Sequence, residues 1–312
     1  MSNKLLNNIL QSAPIQTIIN TSKKISLPGF DGIPLYDVII FFFQGIQKGA
    51  LTTRAAALSF NFFLAIFPGI IFLFTLIPYF PIQDLEEQFM LILKEALPRN
   101  AFEATESTIQ DILHRQSGGF LSFGFITAFY FATNAINSMI SAFNSSYHNI
   151  ESRSFFKQLF VSSMLVFILV FLLVIAVVLL VISGFVLDYL AEKNIIQGGF
   201  NIFLLQAADF IVLLALIFFG FSFLYYYGPS KKSKFRFISA GSTLATILSV
   251  ITSVGFAYYV NNFGQYNKLY GSIGTLIVIM LWIYFNSIIL LIGFELNASI
   301  SNVRKEKLNI NR

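Results

Sequence analysis

A chain of 312 residues that is 56% hydrophobic, 17% aromatic and only 11% charged is not composed for water, since soluble domains carry about 25% charged residues. Its mean hydropathy of +0.74 and its 38 phenylalanines exceed what one water-facing core conceals, so lipid is the expected solvent. The lack of cysteine removes disulfides, thiolate metal sites and thiol nucleophiles, and only His114 and His148 could supply an imidazole.

In chain order, residues 1–34 are polar and mixed, broken at Pro14 and Pro28-Gly29. They lack an apolar stretch followed by a small-residue cleavage site, so no cleavable signal peptide is expected. The segment 35–48 holds the apolar run Val38 to Phe43, too short to cross a bilayer, and reads as a helix lying in the membrane interface. A bilayer core of about 30 Å needs about 20 apolar residues in a helix. Six stretches qualify: 55–80, 120–147, 159–187, 200–227, 237–260 and 273–300. In lipid such runs are helices, because their backbone groups must be satisfied internally. Pro68 and Pro78 lie in the first of them and predict a kink or an early end. Between the first two spans, residues 81–116 carry seven acids and three bases. Leu85, Phe89, Ile92, Leu93 and Ala96 recur at helical spacing before Pro98, and Ile109, Ile112 and Leu113 after it. An amphipathic helical hairpin on the extracytoplasmic face is predicted there, either a lid over an opening or a plain cap on the bundle. Residues 301–312 form a basic tail, which leaves 35–300 as the membrane domain.

The net charge of +5 fits either nucleic-acid binding or the positive-inside bias of a membrane protein. Six spans place fifteen of the twenty Lys and Arg residues on one side, in the N-terminal segment, two connections and the tail. The other side holds Lys94, Arg99, Arg115, Lys193 and Lys268. Both termini are therefore expected in the cytoplasm. The charge is spread over four segments, and no nucleic-acid partner is expected.

Polar residues at membrane depth are the informative ones, because each is costly unless partnered. Arg54 opens the first span and Glu295 lies near the end of the last, at a shared depth. They are expected to be neighbours, directly or through Asn297, as a pair that docks two helices or as part of a gate. Asp209 lies about 13 Å along the fourth span by helical rise, with no Lys or Arg at its depth. It is either a functional group lining a wet cavity or a hydrogen-bonded structural acid. The second span carries Asn134, Asn137, Ser138, Ser141, Asn144 and Ser145 along one helix face. Interhelical hydrogen bonds would use some of them; a hydrated groove, with Asn61 opposite, would use them all. In the fifth span Gly241, Ala245, Ser249, Ser253 and Ala257 place a small residue at every fourth position. That spacing predicts a close helix–helix seam, within the bundle or between protomers. No phosphate-binding Gly-Lys-Ser/Thr loop and no His-Glu-x-x-His zinc motif is present. Asp209 alone cannot form an intramembrane aspartyl pair. No catalytic constellation, cofactor or metal site is expected.

Three sets of residues carry a family resemblance. They are Arg54-Ala55-Ala56-Ala57-Leu58-Ser59 leading to Pro68; Tyr227-Gly228-Pro229 with the basic stretch and Gly241 after it; and Tyr266-Asn267-Lys268-Leu269-Tyr270-Gly271 through Trp282 to Gly293-Phe294-Glu295-Leu296-Asn297. On these the chain resembles the YihY/virulence factor BrkB family of bacterial inner-membrane proteins, once labelled ribonuclease BN, over residues 35 to 300. Phe60-Asn61 departs from the paired aromatic that the family often has there. The resemblance implies a multi-pass, all-helical protein of the plasma (inner) membrane, with Arg54 and Glu295 at family positions. It also implies a role in the cell envelope involving lipid or a similar amphiphile, and the residues speak against ribonuclease chemistry. The expected function is a transporter-like protein that binds or moves an amphiphile. A non-transporting envelope scaffold is the alternative, and the oligomeric state is left open.

Overall fold

The computed structural model describes residues 16, 20–27, 29, 30, 32–48, 50–76, 90, 118–146, 153–192, 199–230, 236–263 and 272–310. Among these residues regular structure is helical throughout. The helices are α1 (Leu35–Lys48), α2 (Leu51–Leu76), α3 (Gly118–Asn144), α4 (Phe155–Glu192), α5 (Gly199–Tyr227), α6 (Ala240–Phe263) and α7 (Ser272–Ile310). The hairpin expected over 81–116 lies outside the described residues apart from Met90, as do Pro78 and the block 266–271.

Among the described residues, α2, α4, α5, α6 and α7 are long and apolar enough to cross a membrane. The second expected span forms a helix of 27 residues, α3, but is not among those five. Its asparagines and serines, the residues that mark it as informative, lower its hydropathy. α2 runs through Pro68 to Leu76, so the proline does not end the helix; in a bundle the freed carbonyl is tolerated because neighbours and local adjustment satisfy it. α4, with 38 residues, and α7, with 39, are each roughly 55–60 Å long at 1.5 Å per residue. Both exceed a bilayer core, and α7 runs on through the expected tail to Ile310.

Packing orders the helices into a closed ring in which α2, α3, α4, α5, α6 and α7 each contact the next and α7 returns to α2. α7 also reaches α3 across the ring and carries α1 on its outer side. The main core lies where α2, α3, α5 and α7 converge, with Leu58, Met139, Ile140, Leu291 and Phe294 buried. The rings of Phe143 and Phe294 stack at 4.1 Å. Tyr225, also buried, donates its hydroxyl proton to the Leu290 carbonyl at 2.8 Å. A second cluster joins Phe30, Ile33 and Val38 to Ile300 and Val303, so both ends of the chain join the folded body through α1 and α7. The outward surface is apolar; Phe156, Phe160, Phe167, Phe171, Ile251 and Val254 stand exposed, as suits lipid rather than water.

Gly241 and Gly293 show why the α6–α7 seam needs small residues. A Cβ on Gly241 would run into the Gly293 carbonyl and the Asn297 amide, and one on Gly293 into Tyr225, Gly241 and Ala245. Ala245 is fully buried, and Ser249 donates to Asn286 at 3.3 Å. The seam fades along the helix: Ser253 is half-buried and Ala257 exposed. It joins two helices of one chain.

Candidate functional site

α1, α2, α3 and α7 meet around Arg54. The residue sits in the first turn of α2, one turn beyond Ala50, whose carbonyl accepts its backbone N–H at 3.1 Å. Its guanidinium points at the C-terminus of α3, where unpaired carbonyls favour a cation. Nη1 donates to the Ala142 carbonyl at 2.8 Å, to the Ser146 hydroxyl at 2.9 Å and to the Ser145 hydroxyl at 3.1 Å. Nη2 lies 3.6 Å from Glu295 Oε2, with the two side chains 13% and 5% exposed. Arg54 and Glu295 are thus direct neighbours. The contact is an ion pair and not a hydrogen bond: Nε, Nη2 and the facing Oε2 are buried without hydrogen-bond partners. Asn297 takes no part in it. Its Oδ1 accepts from the Gly241 amide at 2.8 Å and its Nδ2 donates to the Ser239 hydroxyl at 2.9 Å, so it staples α7 to the otherwise unpaired start of α6.

Gly45 of α1 covers the pair from the remaining side. A Cβ there would occupy the position of the Glu295 carboxylate. Gly45 and Ser146 carry no sequence signal for this role, because their partners lie 250 residues away in one case and 92 in the other.

The polar face of α3 divides among several neighbours. Asn61 Nδ2 donates to the Ser138 hydroxyl at 3.1 Å and its Oδ1 accepts from Asn134 at 3.4 Å, which joins α3 to α2. Asn137 looks the other way, to α4, where its Oδ1 accepts from Gln158 at 3.0 Å and from the Ser162 hydroxyl. Asn144 and Ser230 bind reciprocally, Nδ2 to Oγ at 2.8 Å and Ser230 N–H to Oδ1 at 2.9 Å. The stripe therefore does not line one enclosed groove. Two grooves, of about 460 Å³ beside Ala56, Ser59 and Tyr284 and about 540 Å³ beside Phe160 and Phe167, are bordered mainly by apolar side chains.

What the stripe does form is a track on the outward surface. Along α3, Phe123 (70% exposed), Ile126 and Tyr130 are succeeded by Asn134, Ser138, Ser141 and Ser145 at steps of three or four residues. Asn134, Ser141 and Ser145 are exposed and Ser138 half-buried. The face thus changes from large apolar and aromatic residues to small polar ones halfway along the helix, and its polar end reaches Arg54. From Asn134 to Ser145 is about 16 Å of helix, close to half a bilayer core. Ala56 and Ala57 of α2 are exposed nearby.

Elsewhere, Asp209 accepts from the Ser183 hydroxyl at 2.5 Å, tying α5 to α4. Arg153 holds the C-terminus of α5, donating to the carbonyls of Tyr227 at 3.1 Å, Gly228 at 2.9 Å and Pro229 at 2.5 Å. Partial burial moves its guanidinium pKa below the ordinary value.

The family profile described as Virulence factor BrkB matches residues 42–312. The chain is 32% identical over 257 residues to the ribonuclease-like protein YfkH of Bacillus subtilis, covering 81% of this chain and 91% of that one. It is 26% identical over 270 residues to a UPF0761 membrane protein of Aggregatibacter aphrophilus, covering 86% and 93%, and 24% identical over 277 residues to one of Haemophilus influenzae, covering 88% and 98%. No solved structure matches. The matched region takes in α2, α3 and α7 whole and the second half of α1, and the chain belongs to the virulence factor BrkB family of multi-pass, all-helical membrane proteins.

Proposed function

We propose that the protein binds a lipid or similar amphiphile at the surface of the membrane domain and moves its polar head along α3. The α3 track carries this reading. Exposed asparagine and serine side chains at membrane depth are costly facing acyl chains, and a lipid head drawn into the inner half of the bilayer would satisfy them. The largely apolar half beyond, Phe123, Ile126 and Tyr130, suits the chains of the same molecule. The bias of Lys and Arg supports a cytoplasmic position for the Arg54 end. Asp209 then takes no part in the track, as a structural acid held by Ser183 of α4.

Reconstitution in vesicles with head-labelled phospholipid tests the reading. Wild-type protein is expected to equilibrate label between leaflets at least about tenfold faster than empty vesicles, the scale of a change near 1.4 kcal/mol in barrier. The double variant Asn134→Leu/Ser141→Leu should fall back towards the empty-vesicle rate while remaining folded. Wild-type vesicles no faster than empty ones would sink it. They would favour a non-transporting scaffold of the envelope, for which the docking bonds of Asn61 and Asn137 are the supporting observation. The reading assigns no catalytic step. RNA hydrolysis, the activity in the name of the Bacillus relative, should not exceed the vesicle blank.

A further inference from the structure

We infer that α1 is a hinged cover over the Arg54–Glu295 pair, docked on α7 by its inner face and seated in the bilayer interface by its outer one. Three independent features converge on it. The inner face is fitted to α7: Val38 is 1% exposed in a cluster with Ile300 and Val303, and Gly45 leaves space for the Glu295 carboxylate alone. The outer face presents Ile39 and Phe43, 41% and 58% exposed, beside exposed Gln44 and Gln47. Its occupant is the bilayer, because α1 is an apolar helix too short to cross a membrane and is packed on α7, which is long and apolar enough to cross one. Between the cover and α2 stands Ala50 at φ +44°, a left-handed conformation that a residue with a Cβ rarely adopts. Docking holds Ala50 there, and undocking releases it.

The pair beneath is poised to respond. Three acceptors crowd Nη1, while Nε, Nη2 and Glu295 Oε2 make no hydrogen bond. With Gly45 against it the carboxylate is confined. With α1 lifted it can rotate onto the free guanidinium edge and take Arg54 from Ser145 and Ser146, releasing the end of α3. The cover thus links the interface helix to the residues at the polar end of the track.

The natural chain has no cysteine, so single cysteines report directly. In nanodiscs of phosphatidylethanolamine and phosphatidylglycerol, Val38→Cys on the inner face should react with a membrane-impermeant maleimide at least about tenfold more slowly than Gln47→Cys, since it reacts only during local opening. Adding Gly45→Ala, which puts a Cβ into the carboxylate, should speed Val38→Cys by at least about threefold. Adding Ala50→Gly, which removes the left-handed cost of the docked state, should slow Val38→Cys by about fivefold. Adding Phe43→Ser should speed it by weakening the bilayer seat. Because Gly45→Ala and Ala50→Gly act in opposite directions, a general loss of folding cannot imitate the pattern. Equal rates for Val38→Cys and Gln47→Cys, or no response to Gly45→Ala and Ala50→Gly, would overturn the cover; no response to Phe43→Ser would overturn the bilayer seat. The labelling reads the cover whether or not lipid moves along α3.

Discussion

Replacing Arg54 by Met and Glu295 by Gln, singly and together, measures what the buried pair contributes. At 3.6 Å and an effective dielectric of about 20, two unit charges interact by roughly 4–5 kcal/mol before desolvation is subtracted. Either single change leaves the other charge buried, at a cost of about 3–5 kcal/mol where the geometry is closed. Arg54→Met additionally gives up three hydrogen bonds at the end of α3, so it should be the worse of the two. The double variant removes both charges and should recover about 2–3 kcal/mol of the summed loss. Neutral interhelical hydrogen bonds in a membrane protein couple by only about 0.6 kcal/mol, which sets the threshold. The assay is equilibrium unfolding in mixed micelles, followed through Trp282, the only tryptophan, which lies on the same helix as Glu295. Coupling at or below about 0.6 kcal/mol would show that the pair acts as an ordinary polar contact and would refute the electrostatic reasoning.

Gly241→Ala should cost about 1–3 kcal/mol, the range of overpacking, because its Cβ meets the backbone carbonyl of Gly293; thermal unfolding no different from wild type would contradict the close seam. Asn297→Ala should lose about 1 kcal/mol by uncapping α6, measured the same way. Arg153→Gln should loosen the end of α5, raising hydrogen exchange at Gly228 and Ser230. Since burial lowers the folded pKa of Arg153, its charge is disfavoured in the folded state, and stability gains only as pH rises through the strongly alkaline range; wild-type stability should show no pH dependence from it between about pH 6 and 9. Ser183→Ala strips the hydroxyl from Asp209 and should destabilise by about 1–3 kcal/mol, whereas Asp209→Asn keeps an acceptor and should cost less. The reverse order would mean that the carboxylate does more than accept this bond.

Much of this architecture can be read before any coordinates. The helix expected over 35–48 appears with those bounds, because a short apolar run between breaks leaves few alternatives. Arg54 and Glu295 could be paired because opposite charges at one membrane depth have few other partners. What escaped was direction within a face. Asn134, Asn137 and Ser138 share one side of a helical wheel, yet a difference of about 100° per residue sends Asn137 to α4 and its neighbours to α2. Gly45 was illegible for a different reason: its importance lies in a carboxylate 250 positions away, and a glycine in an apolar segment announces nothing. The charges of the tail do not announce that α7 continues through it, nor that Val303, just before Arg304, is buried.

The closed ring has a consequence for how the protein is made. α2 enters the membrane with Arg54 and Asn61 among its first residues, and α3 soon supplies partners for both. The carboxylate that balances Arg54 arrives only with α7, after 240 intervening residues have been synthesised. Until then the nascent bundle carries an uncompensated cation beside an open gap between its first and last spanning helices. The final helix is the closing stave, and a chain stopped short of Glu295 should be a substrate for quality-control proteolysis.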